Sequence, residues 1–312
     1  MTNTMRAISL GDPDGLVEIT ATRPEPLPTE ILVKVHAAGV NPTDWKSRRT
    51  AGSKLWSDPP IPGFDVAGVV EEVGFGVTLF RPGDEVFGMP WFPRQAGAYA
   101  EYVTAPSRHF ARTPAGLPFT DAAALPLVSL TAWQALVDTA DIQPGQRVLI
   151  HAAAGGVGHV AAQIAKARGA YVLGTARAAK HDFLRGIGVD EPIDYTAVDF
   201  AAAARDVDVV LDTIGGDYAE RSLRVLRPGG TYLSIVAGID DGLSAAASAR
   251  GLRAAFVLVE PDHGALTEIA ALVERGDLTV TVDAVLPLAD AAKAHELGAS
   301  NRTTGKLVLR VS

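Results

Sequence analysis

Two hydrophobic rhythms divide this chain. Up to about residue 120, short apolar runs of strand length alternate with turn formers: residues 31–37 and 65–73 read as strands, and Pro59-Pro60, Pro62-Gly63 and Arg81-Pro82-Gly83-Asp84 punctuate the intervals. Many short strands with frequent turns predict a barrel-like β domain. Near residue 120 the texture turns to alanine and leucine, at 121–125 and 131–136, with Pro126 marking a boundary. From Arg147 onward, strand-type runs at 147–151, 171–175, 207–212, 231–236 and 254–259 alternate with helix-type spacing at 156–168, 180–186, 218–226 and 265–275. Alternation of this kind predicts a doubly wound parallel sheet. After residue 276 the β texture returns, and the run 305–311 is expected to rejoin the first domain. The expected architecture is therefore α/β, with one domain from 1–120 and 276–312 and a second from 121–275.

The most informative stretch is Val148-Leu149-Ile150-His151-Ala152-Ala153-Ala154-Gly155-Gly156-Val157-Gly158. An apolar strand gives way to small residues and then to helix spacing at Val157, Val160, Ala161, Ile164 and Ala165. Lys166 and Arg168 suit a helix C-terminus, and Gly169 suits its stop. Strand, tight turn and helix make the first half of a dinucleotide-binding βαβ unit, with the fingerprint Ala153-x-Gly155-x-x-Gly158. A side chain at Gly155 or Gly156 would hold the backbone away from a pyrophosphate, which the helix N-terminus attracts. Taken alone, the same residues also fit an ordinary glycine-rich turn.

The second strand of the unit selects the cofactor. NAD-preferring sites place an acidic residue about 20 residues past the glycines to hold the ribose hydroxyls. Here the sequence reads Thr175-Ala176-Arg177-Ala178-Ala179-Lys180, and no acid occurs before Asp182. Two cations at that place favour the 2′-phosphate of NADPH. Arg177 and Lys180 are otherwise solvated surface charges. Tyr195, after a third strand, either flanks the same pocket or lies on the surface.

Composition narrows the picture further. The 312 residues suffice for two cores, and a formal net charge of −8 without any cationic run argues against nucleic acid or an anionic membrane surface. Cysteine is absent, which removes disulfides, thiolate nucleophiles and cysteine-based zinc sites. The seven histidines are scattered without ligand spacing, so no metal is expected. Residues 148–165 carry no Asp, Glu, Lys or Arg, yet a Gly-Gly turn interrupts them, and a buried strand–helix pair explains them better than a membrane span. No signal peptide is visible among the first residues, and a cytoplasmic protein is expected.

Several motifs together resemble the quinone oxidoreductase/zeta-crystallin family of the medium-chain dehydrogenase/reductase superfamily. They are Gly39-Val40-Asn41-Pro42-Thr43-Asp44, Pro62-Gly63-Phe64-Asp65-x-x-Gly68, Ala98-Tyr99-Ala100-Glu101-Tyr102, Leu130-Thr131-Ala132-Trp133, the turn at 153–158, Leu211-Asp212-Thr213-Ile214-Gly215-Gly216 and Arg302-Thr303-Thr304-Gly305-Lys306. The resemblance spans essentially the whole chain. It implies a GroES-like β domain made from both ends, an inserted Rossmann domain, and an active site in the cleft between them. Zinc-dependent relatives carry Cys and Gly-His-Glu, whereas this chain has Gly63-Phe64-Asp65, so the zinc-independent branch is implied.

The family further implies hydride transfer from NADPH to a quinone or to the β-carbon of an α,β-unsaturated carbonyl compound. An NADPH-binding structural or sensing protein of the crystallin type is the alternative. By resemblance, Thr131, Ala154, Gly155, Gly156, Val157, Gly158, Thr175, Ile214, Val236 and Lys306 join Arg177, Lys180 and Tyr195 on the cofactor. Asn41 and Asp44 would line the nicotinamide side. Many quinone reductases have tyrosine after that aspartate; here Trp45 and Lys46 follow, as in members resembling plant enone and alkenal reductases. Lys46 is then either a donor to the substrate oxygen, a partner of Asp44 or an exposed loop charge. Trp45, Trp91 and Phe92 are candidates for the substrate side, although exposed aromatics are common. An apolar edge at 254–259, and the family's habit, imply a homodimer.

Overall fold

The computed structural model describes residues 3–11, 15–46 and 53–312. Two compact units emerge: Met1–Leu130 with Glu260–Gly276 and Val280–Ser312, and Thr131–Val259 with Asp277–Thr279.

The first unit is the β-rich one. Strands β1 (Thr4–Leu10) and β2 (Leu16–Thr22) form an antiparallel hairpin. A larger sheet joins β3 (Glu30–Val40), β4 (Asp65–Val73), β5 (Glu85–Gly88), β6 (Tyr102–Pro106) and β7 (Phe110–Arg112) to the late strands β14 (Val282–Pro287) and β15 (Lys306–Arg310). Its order is β14-β15-β3-β4-β5-β7, with β6 also on β3. Most of β3 is buried, as befits a central strand contacted by β4, β6 and β15, and its length exceeds the 31–37 expected from sequence. The closing run pairs antiparallel with β3, Leu307 opposite Val40, so the chain end rejoins the first domain. Helices α1 (Pro42–Lys46), α2 (Phe119–Ala122), α9 (His263–Glu274) and α10 (Ala291–Ala299) complete this unit. Its core gathers Ile31, Val33, Val35, Val66, Val86, Tyr99, Phe110 and Leu309.

The second unit holds six parallel strands: β8 (Arg147–Ile150), β9 (Tyr171–Ala176), β10 (Glu191–Asp194), β11 (Val207–Asp212), β12 (Leu226–Ser234) and β13 (Arg253–Phe256). Helices α4 (Gly156–Ala167), α5 (His181–Gly186), α6 (Phe200–Ala203), α7 (Tyr218–Leu223) and α8 (Asp241–Ser248) fall between them. The strand order β10-β9-β8-β11-β12-β13, counted from β8, is the 3-2-1-4-5-6 of a dinucleotide-binding fold. The order reverses between β8 and β11, and all six residues of β11 are buried, Asp208 and Asp212 included, as in a strand covered on both faces. The unit division falls within α3 (Pro126–Trp133).

Two expectations shift. The units divide after Leu130 and after Val259, with Asp277–Thr279 in the second, against the 120/121 and 275/276 expected; α9, expected with the parallel sheet, packs on β7 of the first unit. Its first residue, His263, donates from Nδ1 to the Phe110 carbonyl at 2.7 Å. Helical spacing alone does not say which sheet an amphipathic helix covers. The last strand of the parallel sheet also stops at Phe256 rather than 259, and α8 has no counterpart among the expected helices. Alanine and serine dominate α8, leaving little apolar periodicity to read.

Candidate functional site

In the second unit the turn after β8 is held from three sides. Ala152 adopts φ +46°, a left-handed conformation that a side chain usually avoids. Its amide donates to Thr175 Oγ1 at 3.0 Å, and the Thr213 hydroxyl donates to the His151 carbonyl at 2.8 Å. His151 is fully buried, its Nε2 2.9 Å from Ser222 Oγ and its ring edge-on to Phe200 and Tyr218. Burial keeps that imidazole neutral, with its pKa lowered to about 4. These bonds tie the ends of β8, β9 and β11 to one another.

The turn then opens into α4. Gly155 is the N-cap, extended and without a side-chain cap, so the amides of the first turn have no acceptor within the helix. A Cβ on Gly158 would collide with the Ala152 carbonyl oxygen and lie 2.7 Å from Ala153 Cα. Glycine there lets the helix close onto the strand, its known use in this fingerprint. Thr175, Ala154 and Thr131 are buried, whereas Val157 is half-buried. Thr175 therefore supports the turn from beneath. An uncapped helix N-terminus at a topological switch point fits the pyrophosphate of a dinucleotide.

At the end of β9, exposed Arg177 donates from Nε to the Tyr195 hydroxyl at 3.1 Å. Lys180 is half-buried on the following turn. The acids nearby are already engaged: Asp182 pairs with Arg185, and Asp194 accepts from the Thr196 amide and hydroxyl. Past the ends of β11 and β12, Ile214 and Val236 are about two-fifths exposed. Asp212 shapes this place, accepting the Ile214 and Gly215 amides on one oxygen and the Tyr232 hydroxyl on the other at 2.6 Å. Sequence reasoning gives Asp212 and His151 no role of their own, although each lies inside a recognised motif.

In the first unit, Asn41-Pro42-Thr43-Asp44 starts α1. Proline occupies N1, and the Asp44 carboxylate reaches back to accept the Asn41 amide at 2.7 Å, as the N3 acid of a capping box does. The Asn41 side chain is not used as a cap. Its Nδ2 donates to Asp65 Oδ2 at 2.8 Å, and its Oδ1 accepts from Lys306 Nζ. Lys306 also donates to the Val40 carbonyl at 2.9 Å and to Asp65 Oδ2 at 3.2 Å. Asp65 Oδ1 accepts the Leu127 amide at 2.7 Å.

Lys306 and Asp65 are thus a buried, saturated ion pair. All three N–H donors of Lys306 are committed to the protein, and through them the residue expected on the cofactor orients Asn41. The antiparallel register sets the start of β15 beside the end of β3. In the sequence, Asp65 is legible only as part of a turn motif.

Asp44 is completely buried. Oδ2 also accepts the Tyr99 hydroxyl at 3.0 Å, and Oδ1 is buried without a partner. Burial, with the Asp65 charge adding to it, pushes its pKa up to about 7 against the pull of the Asn41 amide, Tyr99 and Lys306. Lys46 lies at the exposed end of α1, and among the described residues no ion pair joins it to Asp44. Trp45 is half-buried, its ring centroid 5.8 Å from that of His295. The Trp91 indole donates to the Thr104 carbonyl at 2.8 Å and lies under Arg94, and Phe92 packs edge-on to Phe64. Both loop aromatics are half-buried rather than free-standing. Among the described residues no group of three His, Asp or Glu side chains could hold a metal ion. No helix among them is long and apolar enough to cross a membrane.

Comparison with known proteins agrees with this geometry. A family model described as alcohol dehydrogenase GroES-like domain matches residues 27–115, and one described as zinc-binding dehydrogenase matches 187–309. The quinone oxidoreductase of Coxiella burnetii is 35% identical, with a TM-score of 0.92, over 99% of this chain and 100% of that one. The structure of CurK enoyl reductase is 28% identical, with a TM-score of 0.87, over 99% of each chain. The mitochondrial NAD(P)H oxidoreductase RTN4IP1 of Danio rerio is 30% identical over 91% of this chain and 84% of its own length. The pikromycin polyketide synthase component PikAII of Streptomyces venezuelae is 37% identical over 92% of this chain, which spans only 8% of that protein. The chain belongs to the quinone oxidoreductase-like family of the medium-chain dehydrogenase/reductase superfamily.

Proposed function

We propose that this protein is an NADPH-dependent reductase that passes hydride to an α,β-unsaturated carbonyl compound or a quinone. The observation that carries the coenzyme preference is the Arg177–Tyr195 pair at the end of β9, where a ribose-binding carboxylate would otherwise stand. The acceptor class is supported by the quinone oxidoreductase and enoyl reductase named among the structural neighbours.

In this reading the amides of Gly156, Val157 and Gly158 hold the pyrophosphate, with Gly155 and Ala154 allowing its approach. Arg177, Tyr195 and Lys180 hold the 2′-phosphate. Ile214 and Val236 give the nicotinamide ring an apolar seat, with Thr131 beside it, and Thr175 holds the turn in shape. Bound NADPH supplies the hydride. Negative charge then grows on the substrate oxygen, and the exposed Lys46 ammonium is the donor that meets it. Trp45, Trp91 and Phe92 contribute apolar surface for a planar acceptor. Asn41, oriented by Lys306 and Asp65, and Asp44 line the nicotinamide side. The exposed Phe256 and Leu258 at the β13 edge favour pairing with a second copy of the chain.

Reduction of a cyclic enone with NADPH deuterated at C4 tests the reading. Label is expected at the β-carbon of the product. Label at the carbinol carbon would mean carbonyl reduction and overturn it. Lys46→Met should lower kcat about 100-fold with a smaller effect on KM, as loss of one oxyanion donor does.

A further inference from the structure

Asp44 does not stand alone in the first unit. The Tyr99 hydroxyl that donates to its Oδ2 also lies 3.1 Å from His295 Nε2, on α10. While Asp44 is ionised, Tyr99 gives the carboxylate its one hydrogen, and His295 Nε2 then donates to the tyrosine oxygen. All three side chains are buried, with exposures of 0, 0 and 4%. They form a line from α10, through a loop residue, to the third helical position of α1. A second contact runs alongside. The Trp45 ring lies over Gly298 of α10, so closely that a Cβ there would come within 2.7 Å of Trp45 Cη2. The five-residue α1 is too short to hold itself in water. Its seat is supplied by α10.

We infer that Tyr99 and His295 are positioning residues for the reaction: acting through Asp44, they hold the α1 turn that presents Trp45 and Lys46. The inference rests on the reading of Lys46 as the oxyanion donor. Misplacing a reacting group by an ångström costs on the order of 100-fold in rate, so a seat of this kind bears on kcat. It also carries a pH dependence. Among the described residues, the groups facing Asp44 are Asp65 on β4, Lys306 on β15, Tyr99 and the Asn41 amide, with His295 of α10 behind Tyr99. Tyr99 bonds to the ionised carboxylate and thereby favours it. Removing that hydroxyl raises the pH at which Asp44 ionises.

The test uses the intact protein with Tyr99→Phe, His295→Leu and His295→Gln, the last keeping an N–H donor. Three quantities are read: the Asp44 carboxyl-carbon chemical shift against pH, identified by its loss in Asp44→Asn; kcat and KM for enone reduction against pH; and NADPH binding by fluorescence as a control for folding. Tyr99→Phe should move the Asp44 titration up by about one pH unit, and the matching inflection in kcat with it. His295→Leu should lower kcat roughly ten-fold with little change in KM or NADPH binding, and His295→Gln should restore most of the loss. An active protein in which Tyr99→Phe moves neither titration nor kcat, or in which Gln is as damaging as Leu, overturns the inference alone. NADPH binding without turnover in the unmodified protein overturns the reductase reading and the inference together.

Discussion

Lys306 and Asp65 lie 241 residues apart in sequence and meet at 3.2 Å, Nζ to Oδ2, with both side chains closed to solvent. The pair fastens β15 to the junction of β3 and α1, and Asn41 bridges it. Removing one member of a buried pair strands the other charge in a medium that solvates it poorly, at a cost of about 3–5 kcal/mol. Lys306→Met should therefore lower stability by about that amount in denaturant titration. The double variant Asp65→Asn/Lys306→Met should recover at least half of the loss, because no lone charge remains.

Gly158 tests the dinucleotide turn. In Gly158→Ala the new methyl meets the Ala152 carbonyl and Ala153 Cα, both backbone, so neither can swing aside. Overpacking of this kind costs about 1–3 kcal/mol. Affinity for NADPH and NADH should fall together, since both share the pyrophosphate. Calorimetric titration with each coenzyme checks this, and loss of only one would count against the assignment.

Arg177 and Tyr195 test the discriminating end of the same site. Arg177→Ala should raise the dissociation constant for NADPH roughly ten-fold or more, the loss of a charge-assisted bond to phosphate, and leave NADH within about two-fold. Tyr195→Phe should do the same more weakly. Equal affinity of the unmodified protein for both coenzymes would rule out a 2′-phosphate role.

Two buried groups give stability opposite slopes with pH. Asp44 is raised to about 7 from an ordinary 3.8, so between those values the unfolded chain has lost a proton that the folded chain keeps. Its contribution to stability falls as pH rises from about 4 to 7. His151 is lowered to about 4 from 6.5, so the unfolded chain gains a proton first, and its contribution falls as pH drops from 6.5 to 4. Over their shared range the two effects oppose each other in the melting of the whole protein. Asp44→Asn should separate them: its stability relative to the parent should improve as pH rises from 4 to 7 and stay level above. Moving an ionisation by one pH unit on folding is worth about 1.4 kcal/mol, so the change should reach a few kcal/mol at most. A difference independent of pH would show that Asp44 ionises normally.

What the sequence determined by itself is local. The 148–169 stretch specified strand, turn and helix because each of its preferences acts over a few residues, and the collision that requires Gly158 lies within six positions of it. Arg177 could be placed from βαβ register alone, and its bond to Tyr195 spans 18 residues in neighbouring strand ends. The parallel sheet followed from alternating periodicities.

Tertiary structure decided the rest. Asn-Pro-x-Asp is a helix start in any fold, and nothing near it shows that Asn41 turns away to serve Lys306 and Asp65. Nor does it show that Asp44 answers to Tyr99 and His295, the latter 251 positions further along. Helix spacing made α9 amphipathic, but the contact with β7 chose its unit. In each case the deciding partner is brought in by strand pairing or helix packing across long loops. The physical reason is burial: a polar group closed off from water must bond to whatever the fold places beside it.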